Sequence, residues 1–311
     1  MTDAPPLIVI AGATATGKTE LAIRLAESLI DEGRRVAVIS ADSRQVYRGL
    51  DIGTAKATVE EQGRVPHHGL DLVDPDQPFS VADFVVHADT VLGDLGRQRG
   101  VAILAGGTGL YLRAIARGLD TAALPNDPVV RARLEAELTA RGLSTLAERL
   151  MASAPLLAST VDLRNPRRVV RALEIAELQG DVPRPSARGY PGPVMWLGLR
   201  VDPAVHRDRI AARARAQFGA GLVDEAAALR VRFDPTLPAF SAIGYREAWA
   251  ELDGGLTREA AIELDAQRNV AFAKRQHTWF RSEPAIEWLD ATTSLPLAPA
   301  RAALRELAGS H

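Results

Sequence analysis

The chain has 311 residues, 47% of them hydrophobic and 24% charged, with a net charge of −2. This is an ordinary globular composition, sufficient for one large or two modest domains, and it excludes a generally basic nucleic-acid binder while leaving room for local basic clusters. The absence of cysteine excludes disulfides, thiolate zinc sites and cysteine nucleophiles. No long apolar run follows the opening MTDAPP, so neither a secretory signal nor a spanning helix is expected, and the cytoplasm is the expected compartment.

The first predicted element is a strand over Leu7–Ala11 in PLIVIA, followed by GATATGKT (residues 12–19) and a helix with amphipathic spacing over Thr19–Leu29. RRVAVISAD (34–42) predicts a second strand that ends in Asp42. VAILAGG (101–107) predicts another, followed at once by the helical TGLYLRAIARGL. Strands alternating with helices imply a parallel α/β sheet, and apolar runs without alternation suit strands buried on both faces.

The texture changes near residue 119. DTAALPNDP is punctuated like a linker, and VVRARLEAELTARGL, STLAERLMASAPLLA and NPRRVVRALEIAELQG have helical spacing, the last ended by Gly180. DVPRPSARGYPGPV (181–194) reads as a second linker, after which VMWLGLRV resumes strand character. The expected organisation is an α/β core of the phosphate-loop NTPase type over residues 1–119 and 195–311, with a helical insertion domain over 120–194. From residue 203 onward the chain is expected to be mostly helical.

Gly12 and Gly17 bracket four residues before Lys18 and Thr19, which completes the G-x-x-x-x-G-K-[ST] pattern. Backbone N–H groups of such a loop turn inward as an anion nest, and the following helix aims its positive end at the same anion. Gly12, Ala13, Thr14, Ala15, Thr16, Gly17, Lys18 and Thr19 are therefore candidate phosphate-binding residues. Lys18 adds a mobile charge, and the Thr19 hydroxyl can ligate Mg²⁺ or bond a phosphate oxygen. Nucleotide hydrolases and kinases normally add an Asp at the end of a neighbouring strand. VAILAGGTG has none there, GLDLVD (69–74) is a weak substitute, and Asp42 lies at a strand end where ligands bind in open α/β sheets. From its position Asp42 is a magnesium ligand, a general base or a helix cap. Three basic clusters follow, Arg164 to Arg171, Arg207 to Arg215, and Lys274 to Arg281. Each is either a phosphate-backbone contact or a solvated helix face.

Behind the loop, ADSRQVYRGLDIGTAK (41–56), PHHGLDLVDPDQPFSVADF (66–84), GGTGLYLRA (106–114), NPRRVVRALE (165–174), AIGYREAW (242–249) and AKRQHTWFR (273–281) stand in one order. This ordered set closely resembles the tRNA dimethylallyltransferase family over residues 7 to about 281. The resemblance implies transfer, without ATP, of a dimethylallyl group from dimethylallyl diphosphate to N6 of adenine at tRNA position 37. It also implies that the loop holds the departing pyrophosphate.

By the same resemblance Asp42 is the general base, Thr19 touches the diphosphate and Arg213 binds it. Asp42, Ser43, Arg44 and Gln45 contact the flipped adenine and its neighbours, and Thr108 lines the same channel. Arg167, Arg168 and Arg171 grip the anticodon arm, as do Ser241, Gly244, Tyr245, Arg246, Lys274, Arg275, Gln276 and Arg281 from the core. Mg²⁺ is the implied cofactor, and one monomer is expected to enclose the arm. Trp279 and Phe280 are expected to pack in the core. The chain departs from the family pattern at Ala13 and Thr16 in the loop, at Ala154 in the insertion, and at Asn269-Val270 ahead of AKRQ, where Arg268 is the nearest basic substitute. Two other readings of the loop are a small-molecule kinase using ATP and a non-enzymatic nucleotide-gated RNA-binding protein. The kinase reading gives DSRQVYRGLDIGTAK no role, and the RNA-binding reading predicts tight nucleotide binding and no product.

Overall fold

A computed structural model describes residues 4–121, 124–183 and 186–309. The chain divides into two compact units, one comprising the residues up to Gly118 and from Gly189 onward, the other Leu119–Arg188.

In chain order the first unit begins with β1 (Leu7–Gly12), α1 (Lys18–Asp31), β2 (Val36–Ser40), α2 (Val59–Arg64), β3 (His67–His68), α3 (Val81–Arg97), β4 (Val101–Gly106) and α4 (Gly109–Ala116). The second unit contributes α5 (Pro128–Ser153), α6 (Pro155–Ser159) and α7 (Pro166–Gln179). The first unit then resumes with β5 (Val194–Arg200), α8 (Pro203–Gly219), α9 (Leu222–Arg232), a 3₁₀ turn (Pro238–Ser241), α10 (Tyr245–Leu252), α11 (Arg258–Arg281), β6 (Ile286–Asp290) and α12 (Leu297–Gly309).

The six strands form one parallel sheet in the order β3-β2-β4-β1-β5-β6. Every residue of β1 and β4 is buried, as expected of central strands covered by helices on both faces. Successive side chains enter opposite cores: Leu7, Val9 and Ala11 pack with Phe84, Tyr111 and Phe240, while Ile8 and Ile10 pack with Leu21, Leu25 and Leu197. The edge strands β3 and β6 were not anticipated from the sequence. β3 has only two residues, and IEWLD pairs with β5, too short a run to stand out from its helical surroundings.

At the carboxyl end of the sheet two chain segments meet closely. A Cβ on Gly106 would lie 2.1 Å from the Ala41 carbonyl oxygen. Ala41 N donates to Ala105 O at 2.8 Å, and Thr108 N donates to Ala41 O at 3.1 Å. The predicted strand over 34–42 ends at Ser40, so Asp42 stands in the loop two residues beyond it.

The second unit has its own core, built from Leu134, Leu146, Leu150, Leu157, Val169 and Leu173. Asp127 caps α5 by accepting from Val129 N at 2.8 Å, with Pro128 in the first turn, and Asn165 caps α7 ahead of Pro166. These are standard helix starts, satisfying N–H groups that have no intrahelical partner. Gly142 interrupts α5 with φ +80° and ψ +167°, a kink between two helical stretches. Glu174, fully buried, accepts from Asp127 N at 2.9 Å and pairs with Arg131 at 2.8 Å and Arg171 at 2.7 Å.

Candidate active site

The loop after β1 is wound by residues in left-handed conformations. Ala15 has φ +59° and Gly17 has φ +91°, turns that let successive N–H groups face one anion. Thr16 Oγ1 donates to Ala13 O at 2.9 Å, and Lys18 Nζ reaches back across the loop to the same oxygen at 2.6 Å. α1 has no side-chain cap at Gly17, so its first N–H groups remain available to a ligand.

Residue Thr14 is gripped from outside the loop. Its N–H donates to Gln276 Oε1 at 2.8 Å, and its carbonyl meets His206 Nε2 at 2.7 Å. Its hydroxyl accepts from Arg213 Nη1 at 3.0 Å. Arg213 also reaches Thr54 O through Nη2 at 3.4 Å, and its Nε is buried without a partner.

Lys18 and Arg213 therefore bring two cations to one loop. Burial, then the Arg213 charge, pushes the Lys18 ammonium down to about 8, with Asp42 acting in the opposite direction. Burial likewise pulls the Arg213 guanidinium below its ordinary value, opposed by Asp42 and Asp265. Two partly desolvated cations and an orphaned N–H favour an anionic ligand, which would relieve all three strains at once.

Asp42 turns its own loop: its Oδ1 accepts from Arg44 N at 2.8 Å. Ser43 N donates to Thr108 Oγ1 at 3.0 Å, so Ser43 and Thr108 lie side by side. Arg44 donates to Pro238 O at 3.0 Å. The Gln45 amide is engaged internally, accepting from Ser40 Oγ at 2.7 Å and donating to Thr54 O at 3.1 Å and Ala55 O at 3.2 Å. Lys56 is buried and donates to Tyr47 O at 3.0 Å, Asp51 at 2.5 Å and Asp71 at 2.6 Å. A cleft of about 920 Å³ opens beside the loop, lined by Ala15–Glu20, Asp51, Ile52, residues 55–59, Glu61, Gln62, Arg213, Gln217 and Leu295 among others.

The residues expected at the tRNA divide into two groups. Ser241, Arg246, Lys274, Arg275 and Arg281 are exposed on the first unit, and Arg167 and Arg168 are exposed on the second. Neither Arg167 nor Arg168 makes an ion pair among the described residues. Arg171 instead turns toward the buried Glu174 and Pro125 O. Tyr245 is fully buried, donating its hydroxyl to Glu225 Oε1 at 2.7 Å, and the buried Gly244 donates its N–H to Glu247 at 2.9 Å. Arg268 pairs with the buried Glu247.

Gln276 is 6% exposed and links Thr14 N to Gly107 O, the latter at 2.9 Å. It acts on the phosphate loop from within the protein, a role the sequence reading missed. The available signal was its place with Ala273 and Phe280 on the buried stripe of α11: an amide on an apolar face implies internal partners. Trp279 stacks under Arg113 at 4.4 Å and meets Phe280 edge-on at 5.1 Å.

Fold and loop together define a phosphate-loop α/β protein with a cationic anion site at the carboxyl end of its sheet. Residues 45–283 match the sequence profile described as IPP transferase, and residues 5–66 match the one described as isopentenyl transferase. The chain is 43% identical over 288 residues to a tRNA dimethylallyltransferase of Anaeromyxobacter sp. (strain K), covering 91% of this chain and 92% of that one. It is 43% identical over 281 residues to that of Thermus thermophilus, covering 89% of each. The crystal structure of the full-length tRNA isopentenylpyrophosphate transferase from Bacillus halodurans superposes with a TM-score of 0.70 at 36% identity, covering 98% of both chains. The chain belongs to the IPP transferase family of tRNA dimethylallyltransferases.

Proposed function

We propose that this chain carries out the family's transfer with the residues assembled above: a dimethylallyl group passes from dimethylallyl diphosphate to N6 of adenine 37 of tRNA, and pyrophosphate leaves. The observation that carries this reading is the convergence of the phosphate loop, the Lys18–Arg213 cation pair and Asp42. A cradle loaded with desolvated positive charge suits a group that gains negative charge in the transition state.

As the allylic C1–O bond breaks, its electron pair passes to the diphosphate, held by the loop N–H groups, Lys18, Thr19 and Arg213. The N6 amine of adenine forms the new bond to C1, and its proton passes to the Asp42 carboxylate, which must lie within hydrogen-bond reach. The step balances: the C1–O bond breaks and the N6–C1 bond forms, the N6 proton goes to Asp42, and pyrophosphate carries away the electron pair.

Mg²⁺ supplies charge neutralisation on the diphosphate when bound. Among the described residues no group of three or more His, Asp or Glu side chains is placed to hold a metal. The exposed Thr19 hydroxyl beside the loop fits an ion that takes most of its hard oxygen ligands from the diphosphate itself and from water.

On the acceptor side, a flipped base is presented beside Asp42, Ser43 and Thr108, and anticodon loops are unpaired, so extrusion costs little. Arg167, Arg168, Ser241, Arg246, Lys274, Arg275 and Arg281 contact the phosphate backbone. Gln45, Arg171, Gly244, Tyr245 and Gln276 serve by holding these elements in place. The protein works as a monomer in the cytoplasm, and no described helix is long and apolar enough to cross a membrane.

The test mixes the protein with Mg²⁺, radiolabelled dimethylallyl diphosphate and unmodified tRNA carrying adenine at position 37, without ATP. Label is expected in the tRNA. No label, together with tRNA-stimulated ATP hydrolysis in a parallel tube, would overturn the reading.

A further inference from the structure

Asp51, Ile52, Ala55 and Lys56 line the cleft beside the phosphate loop, and most backbone polar groups of the 51–56 segment are held by side chains from other elements. Glu225, in the first turns of α9, accepts three consecutive N–H groups: Asp51 N at 3.2 Å and Ile52 N at 2.8 Å on Oε2, and Gly53 N at 3.2 Å on Oε1. Gln217 donates to the Ile52 and Gly53 carbonyls at 2.6 and 2.9 Å. Tyr245 completes the carboxylate's shell from the other side through its hydroxyl at 2.7 Å. Its ring fills the place of a side chain at residue 53, where a Cβ on Gly53 would meet Tyr245 Cε2 at 2.6 Å. The same segment presents Thr54 O to Arg213 and Gln45.

We propose that Glu225, locked by Tyr245, is a positioning residue that sets the 51–56 segment against the phosphate loop and so shapes the donor site. A carboxylate is acceptor-only, with lone pairs enough for four donors, whereas an amide would turn an NH₂ group toward some of them. The arrangement acts on the donor through Thr54 and Arg213, without touching the reacting atoms. Tyr245 sits next to the exposed Arg246, so the brace also ties the donor wall to α10.

This inference rests on the functional reading above. Its test compares wild type, Glu225→Gln and Tyr245→Phe in the label-transfer assay, with KM measured separately for dimethylallyl diphosphate and for tRNA. Glu225→Gln is expected to raise KM for the donor about tenfold or more and leave KM for tRNA within about twofold. Tyr245→Phe keeps the ring against Gly53 and loses one of four hydrogen bonds, so a rise of about threefold is expected. Should Glu225→Gln fail to fold, Tyr245→Phe decides the matter alone. Donor KM within twofold of wild type in the folded variants, or equal losses in every parameter that track a lowered Tm, would overturn the proposal. Calorimetry with inorganic pyrophosphate is run alongside. If wild type transferred no label, weaker pyrophosphate binding by the variants would still support the brace, and unchanged binding would reject it.

Discussion

Replacing Lys18 with methionine should make the unliganded protein more stable while abolishing its grip on diphosphate. Burial and the Arg213 charge lower this lysine from its ordinary 10.5 to about 8. At roughly 1.4 kcal/mol per pH unit, the charged form costs up to about 3 kcal/mol at neutral pH. Partial solvent access reduces that to about 2 kcal/mol. Losing the hydrogen bond to Ala13 O gives back about 1 kcal/mol. The net expectation is stabilisation of about 1 kcal/mol at pH 7, read by urea denaturation.

The sign with pH follows from linkage. Below about 8 both folded and unfolded chains carry the proton, and the folded state bears the full cost. As pH rises from about 8 toward 10.5 the folded wild type sheds the proton first, so its stability climbs and the variant's advantage shrinks. Inorganic pyrophosphate should protect wild type against unfolding and leave the variant unprotected. A variant destabilised at pH 7 and still protected by pyrophosphate would refute the reasoning, because Lys18 would then be a structural tether and not a strained anion ligand.

Other consequences are equally direct. Asp42→Asn should cut the transfer rate by about 10²–10⁴, the range for losing a general base, with tRNA affinity within about threefold; a near-normal rate in a single-turnover assay would remove Asp42 from that role. Arg167→Ala combined with Arg168→Ala should weaken tRNA binding and flatten the plot of log K against log salt by about 1–2; an unchanged slope in filter-binding titrations would place those side chains away from phosphate. Burial first, and Glu247 as well, raises the Asp265 carboxyl to about 6. The folded state therefore bears a penalty above about pH 6 that fades as pH falls through that value. Asp265→Asn keeps an acceptor for Asn269 Nδ2, now at 2.8 Å, and should stabilise the protein by about 1 kcal/mol at pH 7. That gain should disappear by about pH 4 in denaturation curves, and a gain independent of pH would mean burial of this carboxylate is not its cause.

What the sequence determined by itself is local. The phosphate loop was legible because its ligands are backbone groups of eight contiguous residues, held by a strand, two glycines and a helix start. The central strands were legible because burial on both faces demands unbroken apolar runs, and the helices of the second unit because their apolar residues keep helical spacing up to the stop at Gly180. The tertiary structure alone decided which side chains serve that loop. Gln276 reaches Thr14 across 262 positions and Arg213 across 199, and Glu225 reaches Ile52 across 173. Spacing along a helix says which residues share a face, but not which face meets which neighbour. So Arg171 and Tyr245, themselves expected at the tRNA, turn to carboxylate partners inside the protein, the buried Glu174 and the half-buried Glu225, while Arg167, Arg168 and Arg246 remain in solvent. The physical reason is that a polar group's role depends on the partner it finds on burial, and that partner is supplied by the packing of distant elements.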